Sequence, residues 1–100
     1  MSYTLRLYAF EEVSERERQD AERRFRTALD ATLGDASLVL PVYSAYRQMV
    51  TIYGEAPAPD LLTEAQQQVF DQWQAAELAA VTAAFGPHRY MGDAHFEIQP

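Results

Sequence analysis

One hundred residues, nearly half of them hydrophobic, make one folded domain over residues 1–100 and not two. The net charge of −7 argues against nucleic acid and anionic membrane as partners, because both repel an acidic surface; it suits a basic protein partner, or solubility alone. There is no cysteine, hence no disulfide and no thiolate chemistry, and no apolar run approaches the ~18 residues of a membrane span. The first ten residues are too short and mixed for a signal peptide, which makes a bacterial-type cytoplasm the default location.

Residues 3–10 alternate as a strand does, with Leu5, Leu7 and Ala9 on one face and Thr4, Arg6, Tyr8 and Phe10 on the other. Glu11 and Glu12 mark its end. Ser14, with Glu17 three residues on, forms the capping box of a helix that runs to about Leu33, where Gly34 can take the left-handed conformation. Its apolar stripe (Ala21, Phe25, Ala28, Leu29, Thr32) is narrow, which predicts a surface helix with one face in contact. The remaining face is charged, and the spacing offers the pairs Arg18–Glu22, Asp20–Arg24 and Glu22–Arg26. Such a run is expected to be solvated.

Residues 37–43 suit either a short edge strand or a helix with Pro41 in its first turn. The expectation is a short extended piece, then a helix from 43 or 44 to 53, stopped by Gly54 and the prolines at 57 and 59. Half the circumference of this second helix is apolar, which predicts a central position with contacts on two sides, or one side kept for a partner. Thr63 and Gln66 form the capping box of a third helix, which ends at Phe85 before Gly86-Pro87. Its apolar face gathers Leu62, Val69, Phe70, Trp73, Ala76, Ala80, Val81, Ala84 and Phe85. Residues 93–99 alternate again as a strand. The whole reads as an α+β domain of order β-α-(β)-α-α-β, the terminal strands paired and covered on one face by the helices.

Glu77 falls in the middle of the third helix's apolar arc. A carboxylate there is partly buried or paired, with Arg47, Arg89 and the tyrosines of helix two as candidate partners. It serves either a structural bond from helix three to helix two or the C-terminal loop, or as a general acid, base or acidic hot spot in a pocket. A second candidate is the polar-aromatic segment holding His88, Arg89, Tyr90 and His95. His88, Asp93 and His95 are ligand types, but their spacing fits no metal motif, and no metal or cofactor is expected. Tyr43, Tyr46 and Tyr53 share one side of helix two and suit core packing or a protein interface.

No phosphate-cradling loop, nucleophile elbow or basic patch is present, so the sequence leaves enzyme status open. Three function classes remain. The first is a protein-binding module, an adaptor, inhibitor or immunity-type protein for a basic partner, or a self-associating subunit that forms a homo-oligomer. The second is a small-molecule site or modest enzyme around Glu77 and the 88–95 loop, and the third is an acidic nucleic-acid mimic.

Overall fold

The computed structural model describes residues 3–9, 14–58, 60–86 and 94–100, and the backbone alone at Ala9, Ala94 and His95. The elements are β1 (Thr4–Ala9), α1 (Glu15–Leu33), a single 3₁₀ turn (Ala36–Leu38), α2 (Val39–Tyr53), α3 (Glu64–Phe85) and β2 (Ala94–Gln99). β1 and β2 pair antiparallel, Thr4 opposite Gln99 and Leu7 opposite Phe96, and the three helices pack against this two-stranded sheet. No helix among the described residues is long and apolar enough to cross a membrane.

The alternation predicted for the strands decides which face is covered. Tyr3, Leu5, Leu7 and Ile98 are buried, while Thr4, Arg6 and Tyr8 are exposed. Phe96 meets Phe25 of α1 at 4.8 Å between ring centroids and so ties the second strand to the first helix. Phe10, Glu11 and Glu12 lie outside the described residues.

Helix α1 begins with one half of the capping box its sequence predicts: the Ser14 hydroxyl accepts the Glu17 N–H, but among the described residues the Glu17 side chain makes no return bond. Gly34 ends the helix at φ +90°, its N–H donated to the Asp30 carbonyl. One face is in contact, as expected, but not lightly: Phe25 and Leu29 are fully buried, Ala21 and Leu33 nearly so, and through them the helix lies along α3 in the main core. Thr32 is exposed and returns its hydroxyl hydrogen to the Ala28 carbonyl.

The charged face is not simply solvated either. Arg18 pairs with Glu15 and Glu22 as spacing allows, but Asp20 takes Arg23 instead of Arg24. Arg24 donates to the carbonyls of Ala83 (3.1 Å) and Ala84 (2.7 Å), two of the orphan acceptors at the end of α3. Arg26 stacks over the Tyr3 ring at 4.7 Å and donates to the Tyr3 carbonyl. Glu22 accepts the Leu7 N–H at 3.1 Å and so covers part of the outer edge of β1. Tyr3 donates its hydroxyl to Asp30 at 2.8 Å; burial, then this carboxylate, push its pKa well above the usual phenol range.

Residues 37–43 form no strand. Asp35 accepts the Ser37 N–H, one 3₁₀ turn follows, and α2 starts at Val39 with Pro41 in its first turn, where the missing N–H would have had no helical partner. The bracketed strand is therefore absent and the helix is four residues longer. Helix α3 carries both halves of its capping box, Thr63 accepting from Gln66 and Gln66 from Thr63.

Removing a ring that is wholly enclosed should cost far more than trimming the exposed stripe. Phe25→Ala is expected to lower the unfolding free energy in urea by about 3–5 kcal/mol. Thr32→Ala should change it by no more than about 0.5 kcal/mol.

Candidate functional site

Helix α2 leans on α3 through aromatic contacts. Tyr43 meets Trp73 at 4.9 Å between centroids, and Tyr46 meets Phe70 at 5.2 Å and Trp73 at 6.0 Å. These tilted geometries are the favourable ones for rings, and Trp73 at their centre is completely buried. Tyr53 packs with Met49, Leu62 and Phe70 in a smaller cluster at the α2–α3 turn. The tyrosine side of α2 is thus covered within the chain.

The rest of α2 is not central. Val39 and Met49 are its buried residues, and Ile52 is 69% exposed. Helix α2 thus meets α3 and, more sparingly, α1, where Val39 joins the main core, and leaves its Ile52 side open. Along its outer edge runs a shallow cleft of about 270 Å³, with Met49, Ile52 and Tyr53 on one wall and Ala65, Gln66 and Val69 on the other.

A second open cleft, of about 330 Å³, is lined by Tyr46, Gln74, Glu77, Leu78 and Val81. The two clefts lie at successive levels of α3, the first on its opening turns at residues 65–69 and the second farther along at residues 74–81. Glu77 is half-buried, as its place in the apolar arc implies; its hydrogen-bond partner among the described residues is on its own helix, and the candidate Arg89 lies outside them. Trp73, one turn earlier on α3, donates its Nε1–H to Glu77 Oε2 at 2.9 Å. The bond thus lies within one helix and joins it to neither α2 nor the C-terminal loop. Burial raises the Glu77 pKa; the Trp73 bond and the Arg47 charge oppose that, and Glu55 adds to it.

Arg47 is exposed, and among the described residues it forms no ion pair with Glu77. The Tyr46 hydroxyl is pushed above its ordinary pKa by burial and then by Glu77 and Glu55. The structure therefore gathers Tyr46 and Glu77, with Arg47 acting through space, and leaves Tyr43 and Tyr53 to packing. His88, Arg89 and Tyr90 lie outside the described residues, as does Asp93. His95 stands in β2 opposite Tyr8. Among the described residues no three His, Asp or Glu side chains gather so as to hold a metal ion.

Three participants, Trp73, Ile52 and Leu78, were not among the candidates the sequence suggests. Trp73 could have been found from its i,i+4 spacing to Glu77 on the same face. Ile52 and Leu78 (64% exposed) could not, since their exposure depends on how much of each apolar arc α2 and α3 cover in one another.

The Glu77 environment gives a pH signature. Its folded pKa lies above the ordinary value near 4.5, so the ionised form costs stability above the folded pKa, and that cost fades as pH falls through it towards 4.5. Glu77→Gln removes the titration. The stability gained by that variant over the parent, measured by urea unfolding, should be larger at pH 7 than at pH 4.5; equal gains at the two pH values would contradict the assignment. Set beside known proteins, the chain matches no family model, no curated sequence and no solved structure.

Proposed function

We propose that this domain is a protein-interaction module whose α2–α3 face docks a basic amphipathic segment of another protein, in the manner of an adaptor, inhibitor or immunity-type protein. The observation that carries this is Ile52, a large aliphatic side chain 69% exposed beside the cleft that Met49, Tyr53 and Val69 line. An exposed apolar group at the edge of an apolar groove, ringed by charge, is the usual anatomy of a contact surface.

Charge supplies the sign of the partner. Six of the eight arginines lie in residues 6–26, whereas residues 39–86 hold Glu55, Asp60, Glu64, Asp71 and Glu77 against Arg47 alone. Glu55, Asp60 and Glu64 are all exposed and sit where α2 ends and α3 begins, next to the Ile52 cleft. A segment with basic residues on one side and aliphatic residues on the other satisfies both features. Two copies of the same acidic face would repel each other, which weighs against self-association through it.

A designed helical peptide patterned with Leu and Lys, and its Leu/Glu counterpart, test the reading. The Leu/Lys peptide should bind with amide shifts confined to residues 45–53 and 65–69, and about tenfold or more tighter than the Leu/Glu peptide at low salt. Ile52→Asp, at so exposed a position, should leave stability within about 0.5 kcal/mol and weaken binding by about tenfold or more. Equal affinity for the two peptides, or binding that survives Ile52→Asp, would sink the idea. So would a concentration-dependent dimer that Ile52→Asp converts to monomer, since the face would then belong to a second copy.

A further inference from the structure

We propose that the cleft beside Glu77 is a separate site for an organic cation, an alkylammonium or guanidinium group held between the Glu77 carboxylate and the Tyr46 ring. It lies farther along α3 than the Ile52 groove, at residues 74–81 against 65–69, and it does not depend on that groove being a docking face.

The geometry supplies each part of such a site. Oε2 of Glu77 is fixed by the Trp73 Nε1–H at 2.9 Å, and Trp73 is itself fully buried and held against Tyr43 and Tyr46. The carboxylate is therefore oriented before any ligand arrives, and among the described residues its other oxygen, Oε1, accepts no hydrogen bond. That oxygen belongs to a side chain lining an open cleft of about 330 Å³. Tyr46 lines the same cleft and offers an aromatic ring, which attracts a cation placed over its face. Gln74 adds an amide oxygen as a second acceptor, and Leu78 and Val81 give an apolar wall for the alkyl part of the ligand.

The electrostatics select the sign. Glu55 acts on both Tyr46 and Glu77 in the same negative sense as Glu77 itself. Arg47 opposes them through space without forming an ion pair here among the described residues, so it lessens the negative charge but leaves Oε1 open. An anion meets the Glu77 carboxylate in this cleft and the negative charge of Glu55 acting from outside it. A neutral alcohol gains the apolar wall but neither the charge-assisted bond nor the cation–ring attraction. Only a cation with an apolar stem uses every surface, and an ammonium or guanidinium also brings the several N–H donors that a carboxylate and an amide can share.

The same chemistry reaches the site from two sources, a free amine or the Lys or Arg side chain of a protein. The chain has one tryptophan, so its indole N–H gives a single nitrogen-edited NMR signal, and that hydrogen is the one bonded to Glu77. The full chain is titrated with butylammonium, with Nα-acetyl-lysine amide and with butanol at constant ionic strength. Saturable movement of the indole signal by butylammonium together with the lysine amide supports the site for either source. Movement by the lysine amide alone assigns it to a protein side chain, and by butylammonium alone to a free amine.

Glu77→Gln keeps an oxygen for the Trp73 bond and removes the charge, and it should weaken cation binding by about tenfold. Leu78→Lys, at a position already 64% exposed, preserves the fold and supplies an ammonium from the chain itself, so it should suppress binding to a similar degree. The proposal is overturned if butanol moves the signal as far as butylammonium, if Glu77→Gln binds as the parent does, or if no cation moves it up to roughly 50 mM, beyond the millimolar affinity a fragment of this size reaches. These results are read at Trp73 and Glu77, neither of which lines the Ile52 groove, whose own test is the effect of Ile52→Asp on peptide binding.

Discussion

The structure depends first on how closely α1 can lie along α3. Ala76, Ala80 and Ala84 recur every four residues on α3, all but fully buried, and they leave a smooth ridge with no side chain beyond Cβ. Small residues at a helix contact let the two axes draw together, and the large groups opposite them can then fill the space between. Phe25 and Leu29 of α1 do this, and the same Phe25 ring reaches Phe96 of the sheet. A single residue thus belongs to both layers, and the sheet is placed by the helix pair rather than the reverse. With α1 lying along α3, α2 rests chiefly on the aromatic shoulder of Phe70 and Trp73, and reaches the main core through Val39 in its first turn.

That arrangement explains the uneven use of charge. Arginines in α1 are committed to holding the fold: Arg24 closes the end of α3, Arg26 covers Tyr3 and Arg18 steadies Glu22 at the strand edge. Guanidinium suits each of these tasks because it carries several donors in a plane and stacks on rings, where an ammonium is a point charge. The α2–α3 half receives little of this positive charge and keeps Glu55, Asp60, Glu64 and Asp71 facing solvent. The molecule is in consequence polarised between a self-satisfied side and an acidic side with aliphatic groups in the open.

Much of this was legible in the chain itself. Caps are local chemistry, so Ser14, Thr63, Gln66 and Gly34 announce their roles without tertiary context, and the period-two alternation of 3–9 and 94–99 follows from one face being covered. What was not legible depends on partners distant in sequence. Asp20 could pair with Arg24 by spacing, but the α3 carbonyls at 83 and 84, some sixty positions away, take that arginine instead. The start of α2 was misjudged because Pro41 is equally at home in an edge strand and in a first helical turn, and the choice turns on whether a neighbouring strand exists to receive residues 37–43. For the candidate site, the sequence located Glu77 correctly within an apolar arc, yet it assigned the carboxylate's partner to other elements when the nearest donor stood one turn away. The segment around His88 lies outside the described residues, so that half of the sequence-based site is not placed.

The pairing of Thr4 with Gln99 puts the first and last strands side by side with their outer ends together. Tension applied at those ends would peel the two strands apart one ladder bond at a time, as a zipper opens, instead of shearing all the bonds at once. The fold is accordingly soft to pulling in this direction, whatever its resistance to heat or denaturant. The same geometry makes the sheet the most non-local contact among the described residues, and closing so long a loop is intrinsically slow. Joining the two ends by a short turn would convert that slow closure into a hairpin and leave the helical layer as it stands.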